Sequence, residues 1–126
     1  MDKILISACL IGLRTRYDGK IINKLCTDNF QKRCLIPVCP EQLGGLSTPR
    51  EPADILFLDG SKRAVSRNSK IDLTENFLKG ARETLKICKK LNINKAILKS
   101  KSPSCGEEGF TFDLLKKNNI RCIIKS

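Results

Sequence analysis

Four short apolar runs decide most of what this chain can fold into: Ile4 to Ala8, Cys34 to Cys39, Ala96 to Lys99 and Arg121 to Ile124. Each is too short for a helix and too uniformly apolar for a half-exposed strand, so buried strands are the natural reading. Pro37 confines the second run to a sheet edge or a strand end. Between them lie segments of helical spacing. Residues 20–33 place Ile22, Leu25, Cys26 and Phe30 on one face. Asp72-x-x-Glu75 forms a capping-box start for a helix that repeats Phe77, Leu78, Ala81, Leu85, Cys88 and Leu91 through to about Leu91. Leu114 and Leu115 belong to a last short helix.

Two interruptions complete the pattern. Ile55 to Leu58, Asp59-Gly60 and Arg63 to Ser66 read as a hairpin, because Asp-Gly supplies the positive φ angles of a two-residue turn. The Gly/Pro-rich stretch from Pro40 to Pro52 reads as a long loop, of the kind that in compact domains tends to be functional. Strands alternating with helices predict an α/β fold: a single Rossmann-like domain over residues 1–126, with a largely parallel sheet and one β-hairpin excursion.

Composition narrows the chemistry. The chain has seven cysteines and no histidine, which excludes Ser-His-Asp and Cys-His catalysis and imidazole metal ligands. An odd number of cysteines in a chain long enough to bury a core points to reduced thiols, hence an expected cytoplasmic location. Cys9, Cys39 and Cys105 each follow a predicted strand, and in an open α/β sheet those carboxyl ends share one side. The other four, Cys26, Cys34, Cys88 and Cys122, are expected as small hydrophobes. No Cys-x-x-Cys occurs, which disfavours zinc ribbons and thioredoxin-like motifs. Three thiolates without a fourth ligand suit an iron-sulfur cluster with one open iron.

The net charge of +11 favours anionic partners. No apolar run approaches the roughly 20 residues a membrane helix needs, so no membrane partner is expected. Ile6-Ser7-Ala8-Cys9 looks like a lipoprotein processing box, but no apolar signal region precedes it, and Cys9 is assigned to the folded protein.

Six ordered motifs carry a resemblance: Ser7-Ala8-Cys9-Leu10; Arg16-Tyr17-Asp18-Gly19; Pro37-Val38-Cys39-Pro40-Glu41; Gly44-Gly45-Leu46 with Thr48-Pro49-Arg50; Asp72-x-Thr74-x-x-Phe77-x-x-Gly80-Ala81; and Lys99 followed by Ser102-Pro103-Ser104-Cys105-Gly106. Together, over about residues 4–125, they resemble the thiouracil desulfidase family. The resemblance implies a cytoplasmic enzyme carrying a [4Fe-4S] cluster on Cys9, Cys39 and Cys105. Its open iron takes the sulfur of a small thiolated base or nucleoside, which is hydrolysed without net redox change.

On that reading Glu41 moves protons, since no histidine is present to do so, and Ser102 and Ser104 hydrogen-bond the base or the attacking water. Arg14, Arg16 and Lys101 are candidate cations for an anionic substrate or the departing sulfur, and Phe110 and Phe112 are candidates for stacking on a base. The chain departs from the family pattern twice. Thr15 stands where members usually have a cysteine, and an insert of about 15 to 20 residues after the Ser-Pro-Ser-Cys-Gly motif, long enough to be a functional loop, is trimmed. Two other functions compete: an RNA-binding module using the positive charge, which would merge with the first if the sulfur sits on tRNA, and a cluster-free persulfide or thiol-transfer enzyme with Cys105 as nucleophile beside Lys101 and Gly106.

Overall fold

A computed structural model of the chain describes residues 2–21 and 33–126. The helix expected over residues 20–33, with Cys26, lies almost wholly outside them. The elements run β1 (Lys3–Ser7), a 3-10 turn (Ala8–Ile11), β2 (Cys34–Val38), α1 (Pro40–Leu43), β3 (Ala53–Leu58) and β4 (Ser61–Ser66). They continue as α2 (Thr74–Leu91), β5 (Lys95–Lys99), α3 (Phe110–Lys117) and β6 (Arg121–Lys125).

The four apolar runs form one parallel sheet in the order β2-β1-β5-β6. Pro37 is exposed on β2, an edge strand, where its missing N–H costs no ladder bond. The chain steps from β1 outward to β2 and returns to β5 on the other side, so the order reverses between β1 and β5. Ligands of open α/β sheets bind at such a switch point, outside the carboxyl ends of the strands.

Side chains alternate across the sheet. Leu5, Ala96 and Leu98 face α2 and α3, where they pack with Cys88, Leu115 and Ile120. Ile4, Ile6 and Ile97 face the opposite way and pack with Leu10. Leu5 and Leu98 are fully buried, and truncating either to Ala would cost about 2–5 kcal/mol.

β3 and β4 form the expected antiparallel hairpin, turning at Asp59 and Gly60 with φ of 49° and 78°. It packs through Ala64 on Phe77, Ala81 and Phe110.

Three expectations need correcting. The stretch from Pro40 opens as a helical turn, α1, because Pro at the first helical position is pre-set for it and lacks an N–H that would go unpaired anyway. Asp72 does not cap α2. Leu73 occupies that position without a side-chain cap, while Asp72 accepts the Thr74 amide and pairs with Arg63. The hairpin overrides the local signal: Leu73 N–H donates to Ala64 O, and Thr74 Oγ1 accepts the Ala64 amide. Leu91, expected on the buried face, is exposed at the helix end, just before Asn92 turns left-handed (φ 56°).

Candidate functional site

Three strand ends and two loops enclose a cavity of about 350 Å³, lined by Cys9, Cys39, Cys105, Glu41, Ser102 and Ser104 among others. Cys9 arrives on the 3-10 turn after β1, and Cys39 directly follows β2. Cys105 sits in the turn after β5, whose geometry Ser102 fixes: its Oγ accepts the amides of Ser104 and Cys105 at 3.2 and 3.1 Å. Gly106 closes that turn against backbone, since a Cβ there would lie 2.8 Å from both Ser102 N and O. Ser7 Oγ accepts the Lys99 amide at 3.0 Å and ties the ends of β1 and β5 together beneath the cavity.

Glu41 is positioned by α1, which lies against α2 at glycine-limited distance. A Cβ on Gly80 would meet Pro40 O at 1.9 Å, and one on Gly44 would meet Asn76 O at 2.1 Å. Ser104 Oγ donates to Glu41 Oε2 at 3.0 Å. Because a hydroxyl has one proton, Ser102 Oγ, 3.0 Å away, is then the donor to Ser104 Oγ. The carboxylate thus terminates a directed chain of hydroxyls. Its other oxygen, Oε1, accepts from Arg50 Nε at 3.0 Å.

Burial favours the protonated form of the Cys9 and Cys105 thiols in the absence of metal. Burial pushes Cys105 up to about 12, with the Ser7 and Ser104 hydroxyls pulling it down and Glu41 and Cys39 adding to the rise. Burial, and next the neighbouring Cys39, raise Cys9, while Lys99 and Arg16 oppose. A thiol this buried and this hard to ionise is a poor free nucleophile, which argues against Cys105 acting in cluster-free thiol transfer. As ligands the thiols must lose their protons, so iron loading would release them.

Three soft thiol donors lining one cavity fit an iron-sulfur cluster by their chemistry. Four thiolates on a single zinc would lie about 3.8 Å apart from bonds of about 2.3 Å. Among the described residues no three Cys, His, Asp or Glu side chains converge to hold a single ion. Thiols spaced around a cavity match a group whose metal atoms each take one ligand.

The remaining sequence candidates divide. Arg16 and Lys101 line the cavity and Arg14 does not. Phe110 is also absent from the lining; it is buried against Phe77 with ring centroids 5.7 Å apart and lies under the Lys62 ammonium. Phe112, on α3, is partly buried against the core. Outside the site, Cys88 is buried and Cys122 half-buried, as expected, whereas Cys34 is exposed at the start of the edge strand. Arg50 was absent from the sequence candidates. Its signal was present in Thr48-Pro49-Arg50, but nothing local told it apart from the many surface arginines and lysines.

The family model for 2-thiouracil desulfurase matches residues 4–124. An uncharacterized protein of Bacillus subtilis (strain 168), YbbK, is 40% identical over 121 residues, covering 87% of this chain and 76% of the relative. A solved structure, that of the [4Fe-4S]-dependent thiouracil desulfidase TudS, superposes with a TM-score of 0.89 at 33% identity, covering 99% of this chain and 91% of that one. The thiol-lined cavity at the strand ends, the parallel sheet around it and these matches agree, and the chain belongs to the 2-thiouracil desulfurase family.

Proposed function

We propose that this desulfidase hydrolyses a small thiolated nucleobase or nucleoside of the 2-thiouracil kind, and that residues 1–126 form one domain around a [4Fe-4S] cluster held by Cys9, Cys39 and Cys105. The observation that supports this most is the placing of three thiols from three strand ends, with the Glu41 carboxylate two residues past one of them, around a single cavity. Bound there, the cluster would supply an open iron position that takes the thiocarbonyl sulfur and polarises the C=S bond.

The protein's own groups supply the rest. Glu41 Oε2 receives a proton from the attacking water, leaving hydroxide to add to the thiocarbonyl carbon. Ser104 donates to Oε2 and Ser102 donates to Ser104, which holds the carboxylate in place, and Glu41 returns its proton to the sulfur as it departs. As the C=O forms, the second proton of the water passes from the adduct hydroxyl to the freed Glu41 carboxylate, sulfur leaves as hydrosulfide, and no electrons are gained or lost overall. Arg16 and Lys101 at the cavity lining offset the negative charge of the departing sulfur.

Anaerobic reconstitution tests the reading. Wild type and Cys34→Ser should bind iron and labile sulfide, turn brown, and convert 2-thiouracil to equal amounts of uracil and sulfide. Cys9→Ser, Cys39→Ser and Cys105→Ser should each lose the colour. A full cluster in all three would sink the assignment.

A further inference from the structure

Arg50 is the most deeply buried arginine side chain among the ion pairs of the described residues, at 8% exposure against 36% and 56% for Arg63 and Arg67. A guanidinium has five N–H groups in a fixed planar fork, and burying it is costly unless all are paired. Arg50 pairs them all. Nε donates to Glu41 Oε1 at 3.0 Å. Nη1 donates to Ser47 O at 3.1 Å and to Thr48 Oγ1 at 2.8 Å. Nη2 donates to Thr15 O at 3.0 Å and points its other proton at Cys39 Sγ, 4.0 Å away. One side chain therefore binds the loop after β1, the residue after β2 and the loop after α1, and of its partners Thr15, Cys39 and Glu41 line the cavity.

We infer that Arg50 is a positioning residue for the reaction: by engaging Oε1 it fixes the rotation of the Glu41 carboxylate, so that Oε2 faces Ser104 and the cavity. The inference rests on the desulfidase reading above for its kinetic consequence. Without the fork, a carboxylate that is 13% exposed can turn either oxygen to solvent, and its alignment with the hydroxyl chain is lost. Lysine cannot replace it, because a single ammonium offers three donors from one point and cannot reach Glu41, Thr15 and Thr48 together.

The test compares wild type, Arg50→Lys and Arg50→Ala. Arg50→Lys should keep wild-type iron content and visible absorption, with kcat down roughly 10- to 100-fold and KM changed by less than about threefold, the pattern of a lost alignment. Millimolar methylguanidine should restore part of the activity of Arg50→Ala, and methylammonium should not. Independently of turnover, the Glu41 13Cδ resonance in the metal-free full chain, assigned by its loss in Glu41→Gln, should move in Arg50→Lys. Wild-type kcat in Arg50→Lys, an unmoved Glu41 resonance, or iron lost in step with activity would each overturn the inference. Absence of sulfide release by the wild type would instead overturn the desulfidase reading, and the resonance would still decide the role of Arg50.

Discussion

Ser104 Oγ lies 3.0 Å from Glu41 Oε2, joining the turn after β5 to the helix after β2 across 63 positions of sequence. Ser104→Ala removes the one proton given to that oxygen and breaks the link to Ser102. A hydrogen bond to a charged group is worth enough that kcat should fall roughly 10- to 100-fold. Iron content should stay at the wild-type level, since Ser102 still accepts the Cys105 amide. Sulfide release measured per iron separates the two effects.

Glu41→Gln tests the carboxylate without changing its shape. The amide oxygen can still accept from Arg50, so the buried guanidinium keeps its partner and the fold should hold. Proton acceptance at the other position is lost, and removing a general base typically costs about 10²- to 10⁴-fold in kcat. A melting temperature near wild type alongside that loss is the expected result, from thermal melts and single-turnover rates on the same reconstituted sample.

Gly80→Ala should act on the site from a distance. The added methyl meets Pro40 O at 1.9 Å, so α1 must move off α2, carrying Glu41 with it and shifting Cys39 just before it. Overpacking of this kind costs roughly 1–3 kcal/mol. The melting temperature should drop by several degrees, and kcat by more than the unfolded fraction explains. An unchanged melting temperature would show that α1 does not need this contact.

Acid stability has a local source at the entrance to α2. The Thr74 hydroxyl, then the Thr74 amide, then the Arg63 guanidinium hold the Asp72 carboxyl at about 2, below its ordinary 3.8. A carboxyl lowered on folding contributes its stabilisation fully above pH 3.8 and loses it as the pH falls towards 2. Wild type should therefore melt above Asp72→Asn at pH 5, and the gap should close between about pH 4 and pH 2. A gap of constant size across that window would remove Asp72 as the cause.

Much of the fold was legible because its signals are local. Apolar runs such as Ile4 to Ala8 need only their own residues to be read as strands, and Asp59-Gly60 announces its turn wherever it occurs. Two of the misread positions, Asp72 and Phe110, depend on a partner distant in sequence. Asp72 has the composition of a cap, yet Leu73 and Thr74 are bonded to Ala64 of the hairpin, and that contact sets where α2 begins. Phe110 has the chemistry of a stacking platform, yet α3 turns it onto Phe77 rather than towards the cavity.

That thiols would follow three parallel strands, and that proton transfer could not fall to histidine, is readable before folding, because chain order and composition are sufficient for both. Which side chains complete the site depends on contacts that exist once the chain has folded. Arg50 carries no local mark of its role; it becomes distinctive when three loops bring Glu41, Thr15 and Cys39 within reach of one guanidinium. Fork geometry and burial then make lysine a poor replacement at that position.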